Sequence, residues 1–542
     1  MKRQVLAGSI QILVMLLLAG CGEKRGSDKM VFRYNQQEGL PTLDPAFAKT
    51  QATTWVAHQL FNTLVEPDSL LNIVPSLAKS WDVSPDRLVY TFHLRDDVYF
   101  HDNEVFPNGK GRKMTAADVV YSFKRVMDPA VASTGAWIFN DKIDPATGFK
   151  AIDDTTFQLT LQHPFHPIMG ILSMQYCSIV PKEVVAKYGK DFRKHPCGTG
   201  PFRFHFWDEG QGLVLHRHPN YFEKDEQGNR LPYLDAVQVS FVDSKGTEFL
   251  LFRQQQLDFV NEVEPSFKDE VLTKTGNLKK EWEGKIVLEK PSFLNTEYFG
   301  ILMDTANAQA KSSPLKHRLL RQAINYGIDR RKMMTYLRNS LGKPANSGFV
   351  PYGLPSFDEV KVPGYEFNPT KALELLARAG YPNGKGLPPI KLLSIPNYSD
   401  MANFVANQLQ ALGIPIQVEI IQKGTLIDQV SKSQVPFFRG SWIADYPDAE
   451  SYLAMFYSKN PAPPNYTRYN NPVFDKLYEQ AIRENNDSLR YQLYQQMDRL
   501  LIADAPIVPL FYDQVMHLLQ PNVKGLVNNG LNMLELRRVS IR

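Results

Sequence analysis

The sequence predicts an α/β protein divided into more than one lobe, and three observations carry that reading. The chain has 542 residues, more than one small core accommodates. Residues 390–444 alternate strand, helix, strand, helix, strand, the pattern of a parallel sheet covered by helices. Residues 30–162 read mostly as strands and turns, so the two parts of the chain are built on different rules.

The elements follow in order. Lys2 and Arg3 precede an apolar run over 5–19, and small residues lead to Cys21. A charged start, a short apolar segment and small residues before the cut describe an export signal rather than a spanning helix. "GEKRGSDK" after it reads as a polar tether. "LVYTFHLRDDVYF" alternates polar and apolar residues, as a half-buried strand pair should. In "TAADVVYSFKRVM", Thr115 caps a helix whose Val119, Phe123 and Val126 share one face. "FPNGKGRK" lacks the glycine, lysine and hydroxyl spacing of a phosphate cradle and reads as a solvated loop.

Further along, Ser313 caps and Pro314 opens a helix, and Leu315, Leu319, Leu320 and Ala323 form its apolar face. Asn368, Pro369 and Gly380 bound another. Strands over 390–395, 416–421 and 437–444 then enclose helices over 400–412 and 425–433. The last strand, "FFRGSWIA", carries Arg439 inside itself and ends at Asp445. Charge in a buried strand needs a partner, from the fold or from a ligand. Ligands of open α/β sheets lie beyond the carboxyl ends of the strands, which is where Asp445 falls. Arg439 is on the same face, about 20 Å away if the strand is straight. An acid and a base at opposite ends of one strand suit a ligand with charged termini, such as an extended peptide.

Composition narrows the classes. Hydrophobic content of 43% and charge of 22% are those of a folded soluble protein. A net charge of +4 without a concentrated basic tract gives nucleic acid binding no footing. Aromatic content of 11% suits a large core and equally a wide binding cleft. Cys177 and Cys197 are either bridged, as an exported chain permits, or two buried free thiols. His163 and His166 flank "PF", and His216 and His218 share a face in "HRH". Two histidines without carboxylate support make a poor ligand set, so no metal site is assigned. No G-x-S-x-G, H-E-x-x-H or cysteine–histidine signature is present in the sequence, so no catalytic residue is assigned and a peptidase is the lesser alternative.

Several segments in one order resemble the solute-binding lipoproteins of ABC importers, in the oligopeptide- and dipeptide-binding group, family 5. They are "LDP", "VPSLAKSWDVSPDRLVYTFHLRDDVYFHD", "TAADVVYSFKRVMDP", "GTGPF", "RQAINYGIDRRKM", "LLARAGYPNG" and "SWIADYPDAESYL". The resemblance implies a two-lobed periplasmic-binding-protein fold of type II. Two strands would form its hinge, and an additional lobe would be inserted near the N-terminus. The expected division is a signal peptide over 1–20 and a tether over 21–29. One main lobe would comprise 30–61, 198–290 and 507–542, the inserted lobe 62–197, and the other main lobe 291–506. The resemblance also implies a lipid on Cys21 and a place at the cell envelope or in the periplasm. Gly22 in place of an acid is a slight pointer to the outer membrane and leaves the choice of membrane open.

The site residues it implies are these. Trp442-Ile443-Ala444-Asp445 matches a motif whose acid meets a ligand's α-amino group, the alternative being a turn cap. Arg439 matches an arginine that meets the carboxylate of short peptides in some members; an ion pair within the fold is the alternative. Trp442 and Tyr446 either wall the cleft or belong to the core. Lys49 stands where oligopeptide binders can carry an acid, which favours an acidic peptide or reflects a different loop. "GTGPF" at 198–202 is either part of a lobe crossing or an ordinary tight turn. The implied partners are a peptide, an ABC permease with its ATPase subunits, and the membrane through the lipid. The chain is expected to be a monomer with no cofactor, no nucleotide site and no chemistry of its own. A nickel complex, haem or a glycan fragment on the same fold is the alternative ligand.

Overall fold

The computed structural model describes residues 29–263 and 265–542. The expected export signal and Cys21 therefore lie outside the described residues. Two large sheets organise the molecule. The first runs, from edge to edge, through Val287–Glu289, His517–Leu519, Phe259–Asn261, Val31–Asn35, Ala236–Ser240, Gly212–Arg217 and Phe202–Asp208. The second runs through Lys343–Pro344, Ile507–Gln514, Ser292–Ile301, Phe437–Ile443, Ile390–Ser394 and Ile416–Ile420. A four-stranded antiparallel sheet, Ala78–Val83, Val89–Leu94, Thr156–Thr160 and Phe149–Asp153, forms the inserted part.

The chain passes between the two large sheets twice, and the passages lie side by side. Lys290 and Pro291 carry it out, and Val515 and Met516 carry it back. Val515 N–H donates to Pro291 O at 3.2 Å, and Gln514 Nε2 donates to Lys290 O at 2.6 Å. Two adjacent extended crossings are what a hinge between lobes requires. The return crossing follows Ile507–Gln514 rather than preceding it. That strand pairs along Ser292–Ile301, so the expected start of the final segment at 507 is corrected to just after Gln514.

Local rules account for most elements. Ile390–Ser394 pairs in parallel with both Ile416–Ile420 and Phe437–Ile443, as the alternating pattern predicts. The sheet is mixed, though, because Phe437–Ile443 pairs antiparallel with Ser292–Ile301. Asn368 caps Pro369–Arg378, accepting from Lys371 N–H. Ser313 caps only the short 3₁₀ turn Pro314–Lys316, and the helix Arg318–Tyr326 starts separately. "LVYTFHLRDDVYF" supplies one strand, Val89–Leu94, and not the expected pair; Tyr99 makes only an isolated bridge to Lys113. The reading of 30–162 as mostly strands and turns also missed the helix Gln51–Leu60. Its signal is present: Thr50 caps it, and buried Ala52, Trp55, Val56 and Leu60 recur at helical spacing.

Two of the quoted segments meet. Asp44 of "LDP" caps the turn Pro45–Phe47 and receives Arg125 of "YSFKRVM" through Nη1 at 2.9 Å. With 5% and 9% of the two side chains exposed, the pair joins the first sheet's lobe to the inserted one. At "GTGPF" the glycines answer to crowding rather than to backbone angle. A Cβ on Gly200 would lie 2.4 Å from the backbone carbon of Leu60, and one on Gly198 2.2 Å from the Leu60 oxygen. Cys177 and Cys197 are buried free thiols, not a bridge. Each is engaged elsewhere, Cys177 Sγ donating to Ile171 O and Cys197 Sγ to His101 O. Burial pushes both thiols far up from their ordinary range.

Candidate functional site

One cleft has a volume of about 540 Å³, of the size that holds a small ligand. Three parts of the chain wall it. The segment Lys49–Thr50 and the helix Gln51–Leu60 present Lys49, Thr54 and His58. The C-terminal segment 527–538 presents Asn532, Glu535 and Arg537. The strand Phe437–Ile443 ends on the opposite side, where Ile443, Ala444 and Asp445 enter the cleft. Gln175 and Tyr176 close it from the inserted part.

The first wall is rigid. Trp55 is 2% exposed, and its indole N–H donates to Asn532 O at 2.6 Å, tying the helix to the C-terminal segment. Behind the surface, Arg537 gathers Glu66, Glu223 and Glu535. Its Nη2 reaches Glu66 at 2.8 Å and Glu535 at 2.6 Å, and its Nη1 reaches Glu223 at 2.5 Å. His58 Nε2 lies 3.0 Å from Glu535. Arg537 and His58 hold the Glu535 carboxyl far below its usual range against the pull of burial. Burial first, and then Glu66 and Glu535, push Glu223 up, with Arg537 opposing. No motif in the sequence singled out these residues. Their sequence separation runs to hundreds of positions, and only the fold collects them.

Asp445 differs from that network. Asp445 is exposed on the cleft, yet protein crowds the rest of its surroundings, and among the described residues no cation pairs with it. This partial burial, reinforced by the negative charge of Glu450 and opposed by Ser451, raises it to about 7. Asp445 N–H donates to Ser451 Oγ at 3.1 Å, so the backbone of the turn is fixed while the side chain stays available. Lys49, across the cleft, is exposed and likewise has no carboxylate partner among the described residues. The cleft thus brings together two of the five residues singled out for the ligand, an acid on one lobe and a base on the other.

The other three lie elsewhere. Arg439 Nη2 sits 2.7 Å from each oxygen of Glu297, with 9% and 1% of the side chains exposed. Its guanidinium lies 3.7 Å from the Tyr398 ring centroid, and Tyr398 O–H donates to Glu297 at 3.2 Å. Burial raises the Glu297 carboxyl and Arg439 opposes that rise. Arg439 is therefore consumed within the fold. Trp442 is half-buried against the Tyr298 and Tyr452 core and does not line the cleft. Tyr446 is 5% exposed, packs on Gly170 of the inserted part and hydrogen-bonds Glu450. The histidines are scattered. His216 stacks on His205, His218 follows its strand and meets Gly200 O at 3.2 Å, and His166 lies 3.5 Å from Asp487.

Comparison with known proteins agrees with this architecture. Residues 72–464 match the family described as Bacterial extracellular solute-binding proteins, family 5 Middle. Heme-binding protein A of Haemophilus influenzae is 28% identical over 527 residues, covering 94% of this chain and 91% of that protein. Glutathione-binding protein GsiB of Escherichia coli strain K12 is 26% identical over 495 residues, 89% of each chain. Among solved structures, the periplasmic binding protein DppA of Helicobacter pylori, in complex with the peptide STSA, superposes with a TM-score of 0.76. It is 26% identical and covers 95% of this chain and 98% of its own.

Proposed function

This chain belongs to the bacterial extracellular solute-binding proteins of family 5, and we propose that it captures short peptides between its lobes for an ABC importer. The observation that carries the reading is the unpaired acid and base in one cleft. Asp445 on one wall suits a ligand's α-ammonium, and Lys49 on the other suits a carboxylate. A binder of many sequences must read what peptides share, namely the backbone and the two charged ends. Lys49 adds a preference for acidic peptides; glutathione, for which the Escherichia coli relative is named, is a peptide of that kind.

In this reading the lobes close about the paired crossings, and the closed form docks on a membrane permease whose ATPase subunits do the chemistry. The lobe division stays as expected from the sequence, with the return crossing moved to Val515. Lipid on Cys21 anchors the protein at the envelope. A monomer without cofactor is sufficient for this task.

Two measurements test it. Native mass spectrometry of protein purified without denaturation, followed by acid release, is expected to yield peptides of a few residues. One homogeneous non-peptide mass overturns the ligand class. Titration of Asp445→Asn is expected to show weakened binding of free-amine peptides and unchanged binding of their N-acetylated forms.

A further inference from the structure

Behind Asp445 stands a second carboxylate that does not line the cleft. Glu450 is 3% exposed. One of its oxygens accepts from Tyr446 O–H and the other from Tyr478 O–H. Its backbone N–H donates to Asp448 Oδ1 at 2.8 Å. Among the described residues no lysine or arginine comes within ion-pairing distance of it, although Arg490 lies 3.7 Å from Asp448. Lys142 of the inserted part lies within its field without pairing. The groups facing the two acids are thus the tyrosines Tyr446, Tyr478, Tyr494, Tyr176 and Tyr452, with Ser451, Asp448 and its Arg490, and Lys142.

This arrangement is unlike that of Glu297 or Glu535, though Asp498 too is held by neutral donors, the N–H groups of Phe349 and Val350. Glu297 and Glu535 are each matched by an arginine. A carboxylate satisfied by neutral hydroxyls keeps its net charge uncancelled, and in a low-dielectric surround that charge reaches its neighbours. Asp448 stands nearest to it, and its charge also reaches Asp445, five residues back on the same turn at the end of the cleft. The same two tyrosines also anchor Glu450. Tyr446 packs into the inserted part's core, and Tyr478 belongs to the helix Pro472–Ala481.

We propose that Glu450 is a positioning residue for amine recognition. It steadies the turn that carries Asp445, and its uncancelled charge makes that end of the cleft select an ammonium group over a neutral one. The proposal rests on the peptide reading above. It has a consequence for protons. A negative charge on Glu450 makes Asp445 hold its proton more readily, so an arriving ammonium displaces the proton that Asp445 holds.

The test uses the tripeptide Ala-Ala-Ala and its N-acetylated form, titrated from pH 5 to pH 9 against the wild type and two variants. Glu450→Gln removes the charge and keeps hydrogen-bonding capacity. At pH 8 its affinity for the free-amine peptide is expected to fall roughly tenfold, the scale on which one nearby charge acts on another. The pH at half-maximal affinity is expected to move down, because Asp445 loses a like charge. The acetylated peptide is expected to be unaffected. Tyr478→Phe keeps the charge and removes one donor, so the pair holds its proton to higher pH and the midpoint is expected to move up. Equal losses for both peptides with an unmoved midpoint would reduce Glu450 to a structural brace and overturn the proposal. Should Glu450→Gln not fold, an unmoved midpoint in Tyr478→Phe overturns it alone. A wild type that binds neither peptide, or Asp445→Asn that keeps its amine preference, removes the peptide reading and this proposal with it. An intact, Asp445-dependent preference without midpoint shifts removes only the proposal.

Discussion

Arg439 and Asp445 are six residues apart on one strand and its exit, and the fold treats them oppositely. Arg439 faces the interior of its lobe, pressed between the Glu297 carboxylate and the Tyr398 ring. Asp445 emerges into the cleft, and among the described residues no cation meets it. A charge in an apolar strand is thus either spent on the structure or left for something that arrives later. Which of the two applies depends on what the neighbouring strand places opposite. Ser292–Ile301 puts Glu297 within reach of Arg439, whereas the residues it brings to the far end, Phe293 and Leu294, are apolar and offer Asp445 no charge.

The sharpest way to break this contrast is Arg439→Ala. It leaves Glu297 buried without its cation, and such losses typically amount to ~3–5 kcal/mol. Chemical denaturation is expected to show a larger loss at high pH than at low pH, because burial already raises the Glu297 carboxyl and without Arg439 nothing opposes that rise. Preference for free-amine over acetylated peptides is expected to survive; its disappearance would put Arg439 back in the binding site.

Asp445→Asn comes next and is expected to act in reverse, on binding rather than on stability. Loss of a charge-assisted hydrogen bond of ~1.5–3 kcal/mol corresponds to roughly 10- to 100-fold weaker capture of free-amine peptides. The empty protein is expected to gain stability. The acid's raised value, about 7, means the folded state holds its proton more tightly than the unfolded chain. That contribution is full below the unfolded value near 3.8 and is lost as pH rises through 7. Removing the charge relieves the folded state above that point, so thermal unfolding at pH 8 is expected to occur at higher temperature in the variant.

The same titration predicts that wild-type affinity for free-amine peptides declines as pH falls from 8 to 6. Calorimetry in buffers of different ionisation enthalpy is expected to record proton release near pH 6.5. A flat profile would mean that Asp445 does not meet the amine. The smallest effect is expected from Lys49→Ala. An exposed ion pair contributes ~0.2–1 kcal/mol, so peptides with a free carboxylate are expected to bind only about two- to fivefold more weakly, and more so at low salt. No change even at low salt would remove Lys49 from the site.

The order of the quoted segments, the helix caps at Thr115 and Asn368, and the parallel βαβαβ unit ending at Asp445 were all legible in the sequence. Each depends on local spacing: 3.6-residue periodicity, a polar residue before a helix, an acid just past a strand. The place of Asp445 just past its strand's carboxyl end followed from the same logic, and that is the end at which open α/β sheets hold their ligands.

What only the tertiary structure decided was partnership. Arg439 is taken by a residue 142 positions away, and Arg537 collects Glu66 from 471 positions away. The two cysteines settle into separate carbonyl contacts, and Tyr446 turns away from the cleft into the inserted part. A charged side chain's role is set by what stands within about 4 Å of it, and contacts of that range between distant segments leave no periodic trace in the chain. Sequence alone determined where charge would be placed on this protein; the packing of its lobes determined which of those charges are paired among the described residues.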